Sequence, residues 1–363
     1  MSAPATPGPR PKQNALPALG LKLAASLLLA GACFWILQRG ALRVVPEPAL
    51  LRKIDYRWLT VYVAVLLFSH LVRALRWRFL LAPVGHVPLG TVLRVAWIGF
   101  GATAALPLRM GEAVRPLLIR RSGGISGWAA TGTVGAERVI DGLYLSVMLF
   151  AALILAQPLV PLPSHIGKLE VPAALVPKAA YGALVLFGCA FSLLAAFHLK
   201  REATRRLLER VIGLVSPRLA HWVTERVDQI VQGIGFLSNA RYTVPFLVGT
   251  SIYWFTAATA FWVMGRACGL DAMSFWQACA VMGVLGLGIL VPNAPGFFGT
   301  FQLAVYAGLA LYFPEDQVLA AGSLYVFVLY VCQVVIMVGL GALCLLFEPS
   351  RTSAQAEAAA GSP

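Results

Sequence analysis

Long apolar runs dominate the chain and leave few folds open to it. Six stretches, 18–38, 58–80, 139–156, 173–199, 242–266 and 317–346, approach or exceed the ~20 apolar residues that a bilayer-crossing helix requires. The runs are continuous rather than alternating over ~10-residue segments, which excludes a transmembrane barrel. Only 12% of the 363 residues are charged, against ~25% in a soluble domain. The expected class is therefore an all-α polytopic membrane protein, with six spanning helices and two broken hairpins.

The hairpins follow from two further apolar stretches. One, 89–106, runs into Leu106-Pro107-Leu108-Arg109-Met110-Gly111-Glu112. The other, 275–313, is broken at Val291-Pro292-Asn293-Ala294-Pro295-Gly296. Proline removes a backbone donor and clashes with the preceding turn, and glycine permits a reversal. Irregular backbone at membrane depth survives only inside protein or beside a wet cavity.

Charge sets the orientation. There are 29 Lys and Arg against 15 Asp and Glu, a net +14. Most arginines flank apolar runs, so the positive-inside rule and anionic lipid account for them, and nucleic acid is not expected as a partner. Arg10, Lys12 and Lys22 place the N-terminus in the cytoplasm, and Arg73, Arg76 and Arg78 end the second span there. Arg109, Arg115, Arg120 and Arg121 belong on the same side, so 89–106 enters and leaves the membrane from the cytoplasm. The 200–241 segment, with eight basic residues against four acids, reads as cytoplasmic amphipathic helices. The 39–57 loop should be external, yet holds five basic residues against two acids.

The same order, span–span–broken element–span, occurs in 18–156 and again in 173–346. The first copy starts inside and the second outside, as in inverted-repeat transporters, whose substrate site lies where the breaks meet. A proline-rich tail, 1–17, and an Ala/Ser/Gly-rich tail, 349–363, are expected to be disordered.

The richest chemistry lies in 106–141. Arg109, Glu112 and Arg115 are three apart and share a helix face, while Arg138 is three and Glu137 four residues before Asp141. Ionised groups near bilayer depth cost about 2.5–3.5 kcal/mol each on insertion scales. They persist when paired or when facing a wet cavity. Two compatible readings stay open: an internal ion-pair cluster, or a headgroup site in which guanidinium forks and free backbone N–H groups hold a phosphate. The second break is almost uncharged. Asn293, Thr300 and Gln302 are its polar side chains, and Gly296 and Gly299 allow close backbone approach.

Enzyme signatures are missing. The five histidines show no HExxH or paired metal spacing, and there is no GxSxG elbow, P-loop or Rossmann fingerprint. No cofactor or metal is expected. The six cysteines form no CxxC pair and read as packing thiols. The AGAC around Cys33 continues into apolar FWIL, so a retained signal-anchor helix is expected rather than a lipoprotein site. Trp254, Trp262 and Trp276 read as interfacial belt residues.

Four segments, LVRALRW (71–77), LPLRMGEAVR (106–115), ERVID (137–141) and VPNAPGFFGTF (291–301), carry a resemblance. In order and spacing over roughly 50–345, the chain resembles the flippase-like family that includes the membrane region of bacterial lysylphosphatidylglycerol synthases, the multiple peptide resistance factors. The resemblance implies movement of a phospholipid or lipid-linked headgroup between leaflets of the bacterial inner membrane, with both termini cytoplasmic. Synthase members add a soluble transferase domain after the membrane part. None is seen before Pro363, so transferase activity is not expected. The family tends to have a second glycine after Pro-Gly and an acid after Gly-Thr-Phe. Here those positions are Phe297 and Gln302, which argues against a cationic lysyl-lipid substrate.

The expected substrate-binding residues are Arg109, Glu112, Arg115, Glu137, Arg138, Asp141, Pro292, Asn293, Pro295, Gly296, Gly299 and Gln302. Arg109, Arg115 and Arg138 would hold the phosphate. The alternatives are a membrane glycosyl or acyl transferase using Glu112 or Asp141 as base, and a scaffold recruiting a cytoplasmic partner through 200–241. The topology is testable in a chain lacking its native cysteines. Ser122→Cys should label from the cytoplasmic side and Pro163→Cys from the opposite side. Labelling of both from one side would contradict the re-entrant reading of 89–106.

Overall fold

The computed structural model describes residues 15–170, 175–200, 202, 206, 216–290 and 294–347. The helices are α1 (Ala15–Arg39), α2 (Pro48–Leu51), α3 (Tyr56–Leu81), α4 (Leu89–Ala105), α5 (Val114–Gly123) and α6 (Gly127–Leu155). They continue as α7 (Leu175–Leu199), α8 (Pro217–Gln232), α9 (Ala240–Ala267), α10 (Phe275–Gly288), α11 (Thr300–Ala310), α12 (Glu315–Leu319) and α13 (Ala321–Leu346). A two-residue β-hairpin, His165–Ile166 with Leu169–Glu170, sits in the α6–α7 loop. The all-α membrane class is what the structure shows.

Five helical segments are long and apolar enough to cross a membrane: Tyr56–Leu81, Gly127–Leu155, Leu175–Phe197, Ala240–Ala267 and Glu315–Leu346. The sixth expected span, α1, counts among the shorter apolar helices over Ala24–Arg39. Three boundaries differ from the sequence reading. Residues 15–17, assigned to the disordered tail, open α1, where Pro17 is tolerated in the first turn. Helix α6 starts twelve residues before 139, because Glu137 and Arg138 interrupt the apolar run but find partners inside the protein. The last span bends at Ala320 (φ −90, ψ −94), between α12 and α13. The remainders of both expected tails, 1–14 and 349–363, lie outside the described residues.

Both broken elements are helical hairpins. In the first, α4 ends at extended Leu106, a 3-10 turn spans Pro107–Ala113, and α5 returns beside α4. The hairpin therefore covers 89–123 rather than 89–106. Gly111 lies directly on the backbone of Ala102 and Thr103, where a Cβ would collide. In the second, α10 and α11 pack through Gly288 on Ala304 and Gly308 on Val281. Here the chain reverses through Gly296 (φ 68), Phe297 (φ 57) and Gly299 (φ 85).

Several helix pairings map onto one another when the two halves are exchanged, although α6 packs on α7 with no equivalent packing between α13 and α1 among the described residues. Helix α3 packs along α9. The hairpin arm α4 packs on α13 as α10 packs on α6. The return arm α5 packs on α6 as α11 packs on α13. The amphipathic α8 lays its chain against α6, with Gly132 facing the Ile230 carbonyl and Gly233 the Ala129 carbonyl.

The basic 39–57 loop is tied down rather than loose. Arg43 pairs with Glu47, Asp55 caps α3 through Arg57 N (2.8 Å), and the Tyr306 hydroxyl donates to the Arg43 carbonyl at 2.8 Å.

The α4–α13 crossing brings two backbones together at a pair of glycines. A Cβ on Gly101 would lie 2.9 Å from Gly341 Cα and 2.9 Å from the Met337 carbonyl oxygen. Overpacking of this kind costs about 1–3 kcal/mol. Gly101→Val should lower thermal stability in detergent, while Gly339→Ala, with open space around it, should not. Equal melting temperatures for the two variants would contradict this packing.

Candidate functional site

The cluster is organised by Arg76, which lies five residues before the end of α3 and is 1% exposed. Its Nη1 and Nη2 donate to Asp141 Oδ1 and Oδ2, both at 2.7 Å, in a bidentate fork. Nη2 also reaches Glu137 Oε1 (3.2 Å), and Nη1 donates to the Thr250 hydroxyl (2.8 Å). Three helices, α3, α6 and α9, are thereby joined at one guanidinium. Asp141 sits midway along the 29-residue α6, where water is remote. The planar fork suits this role because it saturates both carboxylate oxygens at once.

Glu137 is fully buried and gathers three cations. Besides Arg76 it accepts from Arg138 Nη2 (2.8 Å), and its second oxygen forms an ion pair with Arg115 Nη1 (2.8 Å). The Arg115 stem crosses α4 over Gly99, whose missing side chain leaves the passage open, and its guanidinium lies 4.1 Å from the Trp77 ring centre. Trp77 in turn donates Nε1 to Thr133 at 3.1 Å.

Arg109 sits at the first break with φ 56, a left-handed conformation costly for a residue with a Cβ. That backbone sends its side chain in two directions. Nη2 pairs with Glu112 (2.9 Å), and Nη1 donates to the Ile289 carbonyl (3.2 Å) at the end of α10. The tips of the two hairpins thus meet through Arg109.

A cavity of about 390 Å³ lies between the hairpins and α3, α6, α9 and α13. Arg73, Arg109, Glu112, Arg115, Arg138 and Asp141 line it, together with Tyr253, Trp254 and Gln333. Phe297 and Phe301 close the side next to the second break. Arg73 has no acidic partner among the described residues. Its guanidinium rests on the rings of Phe100 (4.3 Å) and Tyr253 (5.6 Å). Buried N–H groups of Arg73, Arg109, Arg115 and Arg138 have no acceptor.

The structure therefore brings Arg109, Glu112, Arg115, Glu137, Arg138 and Asp141 into one place, and adds Arg73 and Arg76, which the sequence reading used as topology markers and within the LVRALRW resemblance but not as site residues. Their three-residue spacing beside Trp77 inside an apolar run was the available signal. Arg115 is held by Glu137 and Trp77 more than it is offered to the cavity. The main partner of Asp141 is Arg76, and Arg138 reaches it at only 3.2 Å.

On the second break, the expected residues make separate contacts. Gln302 is 1% exposed and accepts from Gly299 N (2.7 Å), which caps α11 instead of lining the cavity. Gly299 admits Cys33 of α1, and Gly296 faces the Tyr330 hydroxyl. Pro295 opens the short 3-10 turn of the break. Pro292 and Asn293 lie outside the described residues. Trp254 is not a belt residue: it lines the cavity and donates to Asp141 Oδ1 at 3.3 Å. Trp262 donates to the Met273 carbonyl at 3.0 Å.

Two helical hairpins meeting over an arginine-lined cavity sit within an all-α polytopic membrane protein. The family model for the lysylphosphatidylglycerol synthase transmembrane region matches residues 21–336, and the chain belongs to that family. Comparison with curated proteins and with solved structures gives no match.

Removing one partner of a buried ion pair costs about 3–5 kcal/mol. Arg76→Met should therefore sharply reduce folded yield and detergent stability. Arg76→Met combined with Asp141→Asn should recover part of that loss, whereas Arg138→Gln combined with Asp141→Asn should not. Equal recovery by the two double variants, read by thermal unfolding, would contradict the assignment of Arg76 as the main partner.

Proposed function

We propose that this protein moves lipids with anionic headgroups between the leaflets of the bacterial plasma membrane, with both termini in the cytoplasm. The observation that carries the reading is a charge imbalance at membrane depth. Among the described residues, five guanidinium groups (Arg73, Arg76, Arg109, Arg115, Arg138) meet three carboxylates (Glu112, Glu137, Asp141). Two positive charges are left beside a cavity whose arginines still carry unpaired N–H groups. Uncompensated charge in such a place is costly and marks a substrate path. An anionic headgroup supplies both the missing charge and the missing acceptors.

The cavity volume falls within the 300–1,000 Å³ of small-ligand pockets. It suits a headgroup while the acyl chains stay in lipid. Access alternates as one half rocks against the other, and Arg109 must release the Ile289 carbonyl for the hairpin tips to part. The transferase alternative has less support. Asp141 is saturated by Arg76, and Glu112 is held by Arg109, so neither carboxylate is free to act as a base. The scaffold alternative loses part of its surface, because α8 packs on α6.

Purified protein in liposomes should exchange fluorescent phosphatidylglycerol or phosphatidic acid between leaflets faster than empty liposomes do. Phosphatidylcholine should exchange more slowly. Arg73→Gln leaves no acid orphaned, so it should fold normally and cut anionic-lipid exchange roughly tenfold, as expected for one charge in a partly desolvated site. Exchange by Arg73→Gln at the wild-type rate would remove the cavity charge from the mechanism.

A further inference from the structure

Resting on that reading, we infer that the preferred substrate is a lipid ending in a doubly charged phosphomonoester rather than a singly charged phosphodiester. The arginine excess is two, not one, and the two extra charges are not equivalent to surface cations. Arg73 is stacked on Phe100 and Tyr253 with its Nε buried and unpaired. Arg109, half-buried at the meeting of the breaks, pairs on one side with Glu112 and spends its other nitrogen on a neutral carbonyl. Arg138 adds a further unpaired Nε beside them. A phosphodiester would neutralise one charge and leave the other buried. A phosphomonoester loses its second proton near pH 6, carries close to two negative charges above that pH, and presents three acceptor oxygens. That matches the excess of two and the several open N–H groups. The lining of the cavity offers no acid beyond Glu112 and Asp141, both already paired, so a cationic headgroup extension would find no free partner there.

The experiment compares lipids by ratio, so that partial loss of active protein cancels. Liposomes at pH 8 carry fluorescent phosphatidic acid, a phosphomonoester, or fluorescent phosphatidylglycerol, a phosphodiester. The wild-type protein should exchange the monoester about tenfold faster. Arg73→Gln should bring the ratio near one, Arg73→Lys should keep most of it, and Glu112→Gln, which raises the excess to three, should not lower it. Equal wild-type rates for the two lipids, or a ratio unchanged by Arg73→Gln, would overturn this inference while leaving anionic-lipid translocation standing. Failure to move either lipid faster than empty liposomes would overturn both.

Discussion

Everything in the site depends on the bidentate bond between Arg76 and Asp141. Removed from water, either group alone would be expelled from the membrane interior or would keep α3 and α6 apart. Joined, with Glu137 and Thr250 accepting further bonds from the same guanidinium, they pin three helices at one point. The tight packing of α3 along α9 then fixes the floor against which both hairpins close. A buried ion pair is not in itself strong evidence of stability, because desolvation offsets much of the attraction. What it supplies here is register: the fork geometry admits one alignment of α3 on α6.

The arginines consequently divide into two groups by what they touch. Arg76 and Arg115 are bound to buried carboxylates and hold the scaffold. Arg73, Arg109 and Arg138 line the cavity beside them. Arg115 belongs to both groups, because it also lines the cavity and keeps Nε and Nη2 unpaired. Residue type and spacing do not reveal this division. It depends on Gly99 admitting the Arg115 stem and on the left-handed turn that sends Arg109 towards Ile289.

Much of the fold was legible in the sequence. Apolar run length gave the spans, and Pro107 and Pro295 marked the two breaks. Charge asymmetry gave the re-entrant form of the first hairpin. Less legible were the start of α6, where buried charge imitates a loop, and the role of Arg73 and Arg76, whose position near a helix end imitates a topology signal. A polar side chain beside a glycine break, such as Gln302, suits a cavity as well as a cap. Its bond to Gly299 N decides for the cap. The six charged residues expected in 109–141 did converge, because three- and four-residue spacings on helices act locally. Their partners on α3 are long-range, and no spacing rule reaches them.

The two halves share a pattern of helix pairing but not a charge pattern. Every charged member of the cluster precedes residue 142, and the second half contributes aromatic rings, small residues and a carbonyl. This matters for biogenesis. A membrane chain is made from its N-terminus, and each arginine entering lipid unpaired carries the insertion cost of a central charge. Here Arg76, Arg115 and Arg138 find Glu137 and Asp141 within the first 155 residues, before α9 has been made. The first half carries its own counter-ions, while the apolar spans of the second half hold few charges and close over the cluster.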